Sequence, residues 1–214
     1  MRWFKNGGSA LVALVMLASP LAGAADFGRE QASGEARHVA QWVLESQDHG
    51  GLPFAIVDKK EARLFLFNGQ GRLLGASPAL LGSAQGDASM PGVGKLQPAL
   101  IPPHQRTTPA GRFATEPGRN TQGEAIVWFD YDAGLAIHRL RPAPAREHRP
   151  QRMLSETPED NRISLGCVVL PVDFYDAVIA PLLGRQRGLV YVLPETQPAQ
   201  ALFGGSARLA LLMP

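Results

Sequence analysis

One cysteine stands in 214 residues, and its setting suggests chemistry. Cys167 closes the turn-forming run Ser164-Leu165-Gly166-Cys167 within Ile163–Pro171, and an apolar, β-prone stretch follows at once. The plain alternative is a structural thiol, because free cysteines are among the most buried residues. A thiol on a glycine turn at a strand entry is also well placed as a nucleophile, since glycine lets a substrate approach the backbone closely. Such a thiol needs a base to make its thiolate and donors for the oxyanion it creates. Of five histidines, His138 ends the apolar run Leu135-Ala136-Ile137, so packing fixes it, whereas His148 lies in mid-loop. A base must hold a defined hydrogen-bond geometry, which favours His138. The N–H groups around Gly166 and Cys167 are the candidate oxyanion donors. Zinc would need three or four clustered ligands, and a serine hydrolase a Gly-x-Ser-x-Gly elbow; the sequence offers neither.

The compartment bears on the thiol. Arg2 and Lys5, the apolar run Ser9–Ala18, the breaker Pro20 and Ala22-Gly23-Ala24 ahead of Ala25-Asp26 read as a secretory signal peptide over residues 1–24. The apolar run is short for a membrane span, which takes about 20 residues, so no stable span is expected after cleavage. A single cysteine in an exported chain has no internal disulfide partner, and export therefore raises the odds of a reactive thiol. The chain carries 21 Lys+Arg and 19 Asp+Glu; removing Arg2 and Lys5, and no acid, leaves 19 against 19. That balance gives no support for nucleic-acid binding.

The elements that must position these residues are mostly strands. A 45% hydrophobic content permits a real core, while 23 Gly and 18 Pro favour a turn-rich β fold over a helical bundle. Residues 25–52 form a leader and one helix: Ser33 is the N-cap, and Glu35–Gln47 carries Val39, Trp42, Val43 and Leu44 before Gly50-Gly51. His38 and His49 flank it as surface residues. Strands are expected at Phe54–Val57, Glu61–Phe67 and Arg72–Leu81, the last two joined by the hairpin signal Asn68-Gly69-Gln70-Gly71. Gly82–Leu96 is a loop. Its Gly94-Lys95 fails as a phosphate loop, because Ser89 and Leu96 occupy the glycine and Ser/Thr positions. Further strands are expected after the turn Thr108–Phe113, at Ala125–Asp130 and at Leu135–His138. Arg139–Arg162 is a polar insertion with six arginines, read as a solvated loop or a lid. A helix from Pro171 with Phe174, Val178 and Leu182 on one face, kinked at Pro181, precedes a last strand at Leu189–Leu193. Residues 195–214 are a tail whose apolar part, Ala207–Met213, can dock on the domain.

Three stretches in one order carry a resemblance. Thr108-Pro109-Ala110-Gly111-Arg112-Phe113, Ala136-Ile137-His138 and Ser164-Leu165-Gly166-Cys167 make residues 53–194 resemble the L,D-transpeptidase (YkuD-type) catalytic domain. The resemblance implies a mainly β fold with a few helices, a sandwich or barrel with one N-terminal and one post-nucleophile helix. It implies an exported enzyme of the periplasm or cell envelope, with peptidoglycan stem peptides as partners and no metal or organic cofactor. Cys167 would attack the carbonyl of the third residue of a tetrapeptide stem, release D-Ala and pass the acyl group to an amine. His138 would move the protons, a backbone carbonyl near Arg139 would orient its ring, and Ser164 would brace the turn. Arg162, nearest the nucleophile, and Arg139 are candidates for a stem carboxylate. Two positions depart from the family pattern: Leu165 stands where His is usual, and Val169 where Asn or Arg is common. Transfer to water (a carboxypeptidase or amidase) and a degenerate peptidoglycan-binding scaffold remain the alternatives.

Overall fold

Runs such as Phe54-Ala55-Ile56-Val57 and Leu64-Phe65-Leu66-Phe67 are apolar on both faces, as strands covered on two sides must be. In the computed structural model, which describes residues 25–204, they sit in an eight-stranded mixed sheet. The strands are β1 (Phe54–Asp58), β2 (Arg63–Phe67), β3 (Leu73–Pro78), β4 (Leu81–Gly82), β5 (Gly111–Arg119), β6 (Ala125–Asp130), β7 (Leu135–Arg139), β8 (Arg162–Ser164), β9 (Val168–Leu170) and β10 (Gly188–Val192). The order is β3-β2-β1-β10-β5-β6-β7-β9, with β4 and β8 paired separately. The β9 edge is capped by Leu80, which exchanges hydrogen bonds of 2.8 and 2.9 Å with Val169. Leu80 continues the chain from β3 at the opposite edge, so the sheet nearly closes on itself. The fold class read from the sequence, mainly β with a few helices, is the one observed. Among the described residues no helix is long and apolar enough to cross a membrane.

Two cores lie on the two faces. Inside the curve, Ala55, Val57, Leu64, Leu66, Val127, Phe129, Leu135, Ile137, Val168, Leu170, Val190 and Val192 pack together. Outside, helix α1 (Gly34–Ser46) lays Ala36, Val39, Ala40 and Val43 on Phe54, Ile56, Phe65, Phe67 and Tyr191. Ser33 caps α1 through a 3.0 Å bond from Ala36 N–H, and Gln47 ends it in the left-handed region at φ 53°. The signal segment 1–24 and the apolar stretch Ala207–Met213 lie outside the described residues.

Several local expectations change. The second strand starts at Arg63, and the return strand splits into β3 and β4. The post-nucleophile helix is α3 (Val172–Phe174) running into a π-helical stretch, Tyr175–Ile179. The wider turn rotates the face, so Tyr175, Ile179 and Leu183 are fully buried while Phe174, Val178 and Leu182 are only partly so. His49 is buried, its two ring nitrogens 3.3 and 3.1 Å from Val43 O and Gly69 O, and so ties the helix end to the hairpin.

Candidate active site

Parallel pairing of β7 with β9 brings the two candidate residues to one place. The register matches Ile137 to Val168, His138 to Val169 and Arg139 to Leu170. Cys167 therefore precedes the ladder by one residue, level with Ala136, and is a diagonal neighbour of His138. Leu135 and Ile137 point into the inner core, so Ala136 and His138 face outward by strand alternation. Trp128, the β6 partner of Ala136, shares that outward face.

The turn before β9 is tied on every side. Gly166 N–H donates to Ser164 Oγ at 3.0 Å, and Ser164 O–H donates to Cys167 O at 2.7 Å. Thr108 O–H donates to Gly166 O at 2.9 Å and accepts from Gly82 N–H at 2.9 Å. Ser83 N–H holds Ser164 O at 2.9 Å. Gly166 has φ +130°, and a Cβ there would lie 2.6 Å from Thr107 O and 2.8 Å from a Leu135 methyl, so only glycine fits. Because Ser164 takes the Gly166 N–H, that amide is not free to face an oxyanion, contrary to the sequence expectation. Cys167 N–H is the other donor read from the sequence at this turn.

His138 is 8% exposed, and its Nδ1 lies 2.8 Å from Arg139 O. A carbonyl can only accept, so Nδ1 carries the proton and Nε2 keeps its lone pair. Burial pushes the imidazole down to about 4, against a partial rise from the Arg139 carbonyl. Burial also pushes the Cys167 thiol up, opposed by Ala136 N–H and the Arg141 cation. At neutral pH the resting pair is thus a thiol beside a neutral imidazole. The thiol sits 3.9 Å from Gly134 O, and the two side chains are not hydrogen-bonded to each other. Catalytic contacts are often loose before substrate binds.

No family model and no curated protein matches the chain. Several solved structures do. The catalytic domain of an L,D-transpeptidase from Enterococcus faecium is 18% identical, with 65% of this chain and 95% of that one covered and a TM-score of 0.36. An L,D-transpeptidase from Mycobacterium smegmatis is 18% identical over 65% of this chain and 58% of that one, TM-score 0.35. The helical cell shape determining protein Pgp2 from Campylobacter jejuni is 15% identical over 69% and 49%, TM-score 0.44. The chain spans about half the length of the first two solved chains it matches, 49% and 58%.

The two arginines singled out from the sequence are engaged elsewhere. Arg162, 11% exposed in its side chain, pairs with Glu195 and donates to Lys59 O at 3.0 Å. Arg139 pairs with Asp176 at 2.9 Å and lies over the Tyr175 ring. Both guanidiniums already hold a carboxylate, Arg162 in a buried pair and Arg139 in an exposed one. Two other insertion arginines behave alike: Arg141 meets Glu124 at 2.7 Å and Arg149 meets Glu147 at 2.6 Å.

The insertion is anchored at two points. Its helix α2 (Arg149–Met153) buries Met153 against Leu80 and Val169, beside Leu140 and Ile163. Asn161, 1% exposed, donates to Ala79 O at 3.1 Å. Val169, the register partner of His138, therefore lines an apolar contact.

Lys59, between the expected strands Phe54–Val57 and Glu61–Phe67, was not singled out from the sequence. It is fully buried and donates to Gly86 O (2.6 Å), Asp87 Oδ1 (2.8 Å) and Thr108 O (2.9 Å). With Glu195 at 3.4 Å and the Arg162–Glu195 pair, two cations meet two carboxylates. Asp87, with Lys59 as its nearest cation, is held down to about 2 despite its desolvation. Among the described residues no cluster of His, Cys, Asp or Glu has the makings of a metal site.

Proposed function

We propose that this protein is an exported cysteine L,D-transpeptidase acting on peptidoglycan tetrapeptide stems. Cys167 Sγ attacks the carbonyl carbon of the third stem residue while its proton passes to His138 Nε2. The peptide bond to D-Ala breaks, the departing nitrogen takes that proton from His138, and a thioester remains on Cys167. An amine from another stem, usually the side chain of a diaminopimelate, then attacks the thioester and releases the thiol. The reading draws its main support from one relationship: a thiol on a fully tied turn lies diagonally across from an imidazole whose Nδ1 proton is committed to a carbonyl. The ordered motifs from Thr108 to Cys167 and the signal-like residues 1–24 support the substrate class and the compartment. Incubation with tetrapeptide muropeptides should release D-Ala and yield 3→3 cross-linked dimers. Activity that survives Cys167→Ala would sink the mechanism.

A second reading, a peptidoglycan-binding protein without turnover, draws on Val169, which is buried under Met153 where a polar pocket residue is common in the family. On that reading the protein sediments with sacculi but releases no D-Ala.

A further inference from the structure

The β7–β9 ladder stops one step early, and the reason is local. Leu140 N–H donates to Leu170 O at 2.7 Å, and the register runs back through His138 and Val168. Continued by one step, parallel pairing would send Ala136 N–H to Gly166 O and Gly166 N–H to Gly134 O. Neither bond forms. Gly166 O is turned to the Thr108 hydroxyl, and Gly166 N–H is taken by Ser164 Oγ. Of the two β7 groups left over, Gly134 O lies 3.9 Å from the Cys167 sulfur, and Ala136 N–H lies level with Cys167 in the register.

We propose that Thr108 is a positioning residue for Cys167: its hydroxyl draws Gly166 O out of line with β7, so that Ala136 N–H is left toward the Cys167 side of the ladder. Lys59 in turn fixes Thr108. Its fully buried ammonium holds Thr108 O, and the loop carbonyl and carboxylate at Gly86 and Asp87, in one place. The thiolate, once formed, then has a backbone donor that does not have to reorganise, the arrangement that makes electrostatic stabilisation effective. Thr108 acts on the sulfur only through the turn and touches no substrate. The inference rests on Cys167 being the nucleophile.

The test compares Thr108→Val, which keeps the shape and loses the hydroxyl, with Thr108→Ser, which keeps the hydroxyl. Two quantities are read by intact mass on the folded, purified proteins: the pH midpoint of Cys167 alkylation by iodoacetamide, and the rate of Cys167 acylation by a carbapenem. With Thr108→Val, Gly166 O is no longer held toward residue 108 and turns back to accept from Ala136 N–H. The alkylation midpoint should rise, and acylation should slow by roughly ten- to a hundred-fold, the scale of a small misplacement of a reacting group. Thr108→Ser should restore both. A Thr108→Val midpoint equal to that of the unsubstituted protein overturns the proposal, as does a slowing with no change in midpoint that merely follows lost folded protein. If the unsubstituted protein is not acylated at all, the transpeptidase reading fails, while the alkylation midpoint still decides the role of Thr108.

Discussion

His138 Nδ1 lies 2.8 Å from Arg139 O, and that contact sets which nitrogen is available for chemistry. With Nδ1–H committed, Nε2 is the basic atom. Burial holds the imidazole down to about 4, so the base is unprotonated across the neutral range. The acid limb of kcat/KM for D-Ala release should fall near pH 4, well below the ordinary histidine range near 6.5. His138→Gln should lower kcat by about 10²- to 10⁴-fold, the usual contribution of a positioned base. An acid limb near 6.5 would show that the imidazole is solvated in the free enzyme.

The same burial predicts a stability effect. The folded-state value of about 4 lies below the unfolded value, so the unfolded chain binds more protons between them. Stability from this residue is fully present above about pH 6.5 and is lost as pH falls toward 4, amounting to roughly 3 kcal/mol. Urea midpoints measured from pH 7.5 to 4.5 should fall more steeply for the unsubstituted protein than for His138→Gln. Taking the difference between the two removes the parts due to Asp58, whose value burial raises, and Asp87, whose value is lowered.

Gly166→Ala should injure the turn on two counts. Its φ of +130° disfavours any side chain, and the new Cβ would meet Thr107 O at 2.6 Å. A strained backbone of this kind costs about 1–3 kcal/mol. Carbapenem acylation of Cys167 should fall well beyond what the stability loss explains. Acylation at the full rate would mean that the turn tolerates a different path.

Val169→Asn tests the apolar anchor. Val169 is 1% exposed and packs with Leu80 and Met153. A buried amide without partners costs about 1–3 kcal/mol on mutational scales. The variant should melt earlier than the unsubstituted protein. Pairing it with Met153→Ala, which opens space over residue 169, should give less than the sum of the two single losses. Additive losses would show that Met153 and Val169 are not one contact.

The local parts of this molecule were legible in its sequence. The Ser33 cap, the Asn68–Gly71 hairpin, the strand Ala125–Asp130 and, to within one residue, the strand Leu135–Arg139 follow from short-range chemistry, and so does the Gly166-Cys167 turn. Pro117 hid the length of β5: beyond Thr115 this strand pairs only with β6, so a residue without an N–H is tolerated there. Lys59 was illegible because its acceptors lie 27 to 49 residues away. Nothing around it in the chain marks it as buried. The role of Thr108 was hidden for a related reason. Its motif read as a turn into a strand, while its hydroxyl works on a carbonyl 58 residues on. Arg162 is near Cys167 in the chain, but its side chain turns toward the Lys59 cluster.

The central claim is that Cys167 is an acyl-accepting nucleophile. Intact-mass spectrometry of the purified protein, incubated at pH 7 with a carbapenem or with a tetrapeptide stem lacking an amine acceptor, tests it most directly. The account predicts one covalent adduct per chain, located on Cys167 and absent from Cys167→Ala, with D-Ala released from the tetrapeptide in equal amount. A chain that stays unmodified while folded, or an adduct that persists in Cys167→Ala, would contradict it.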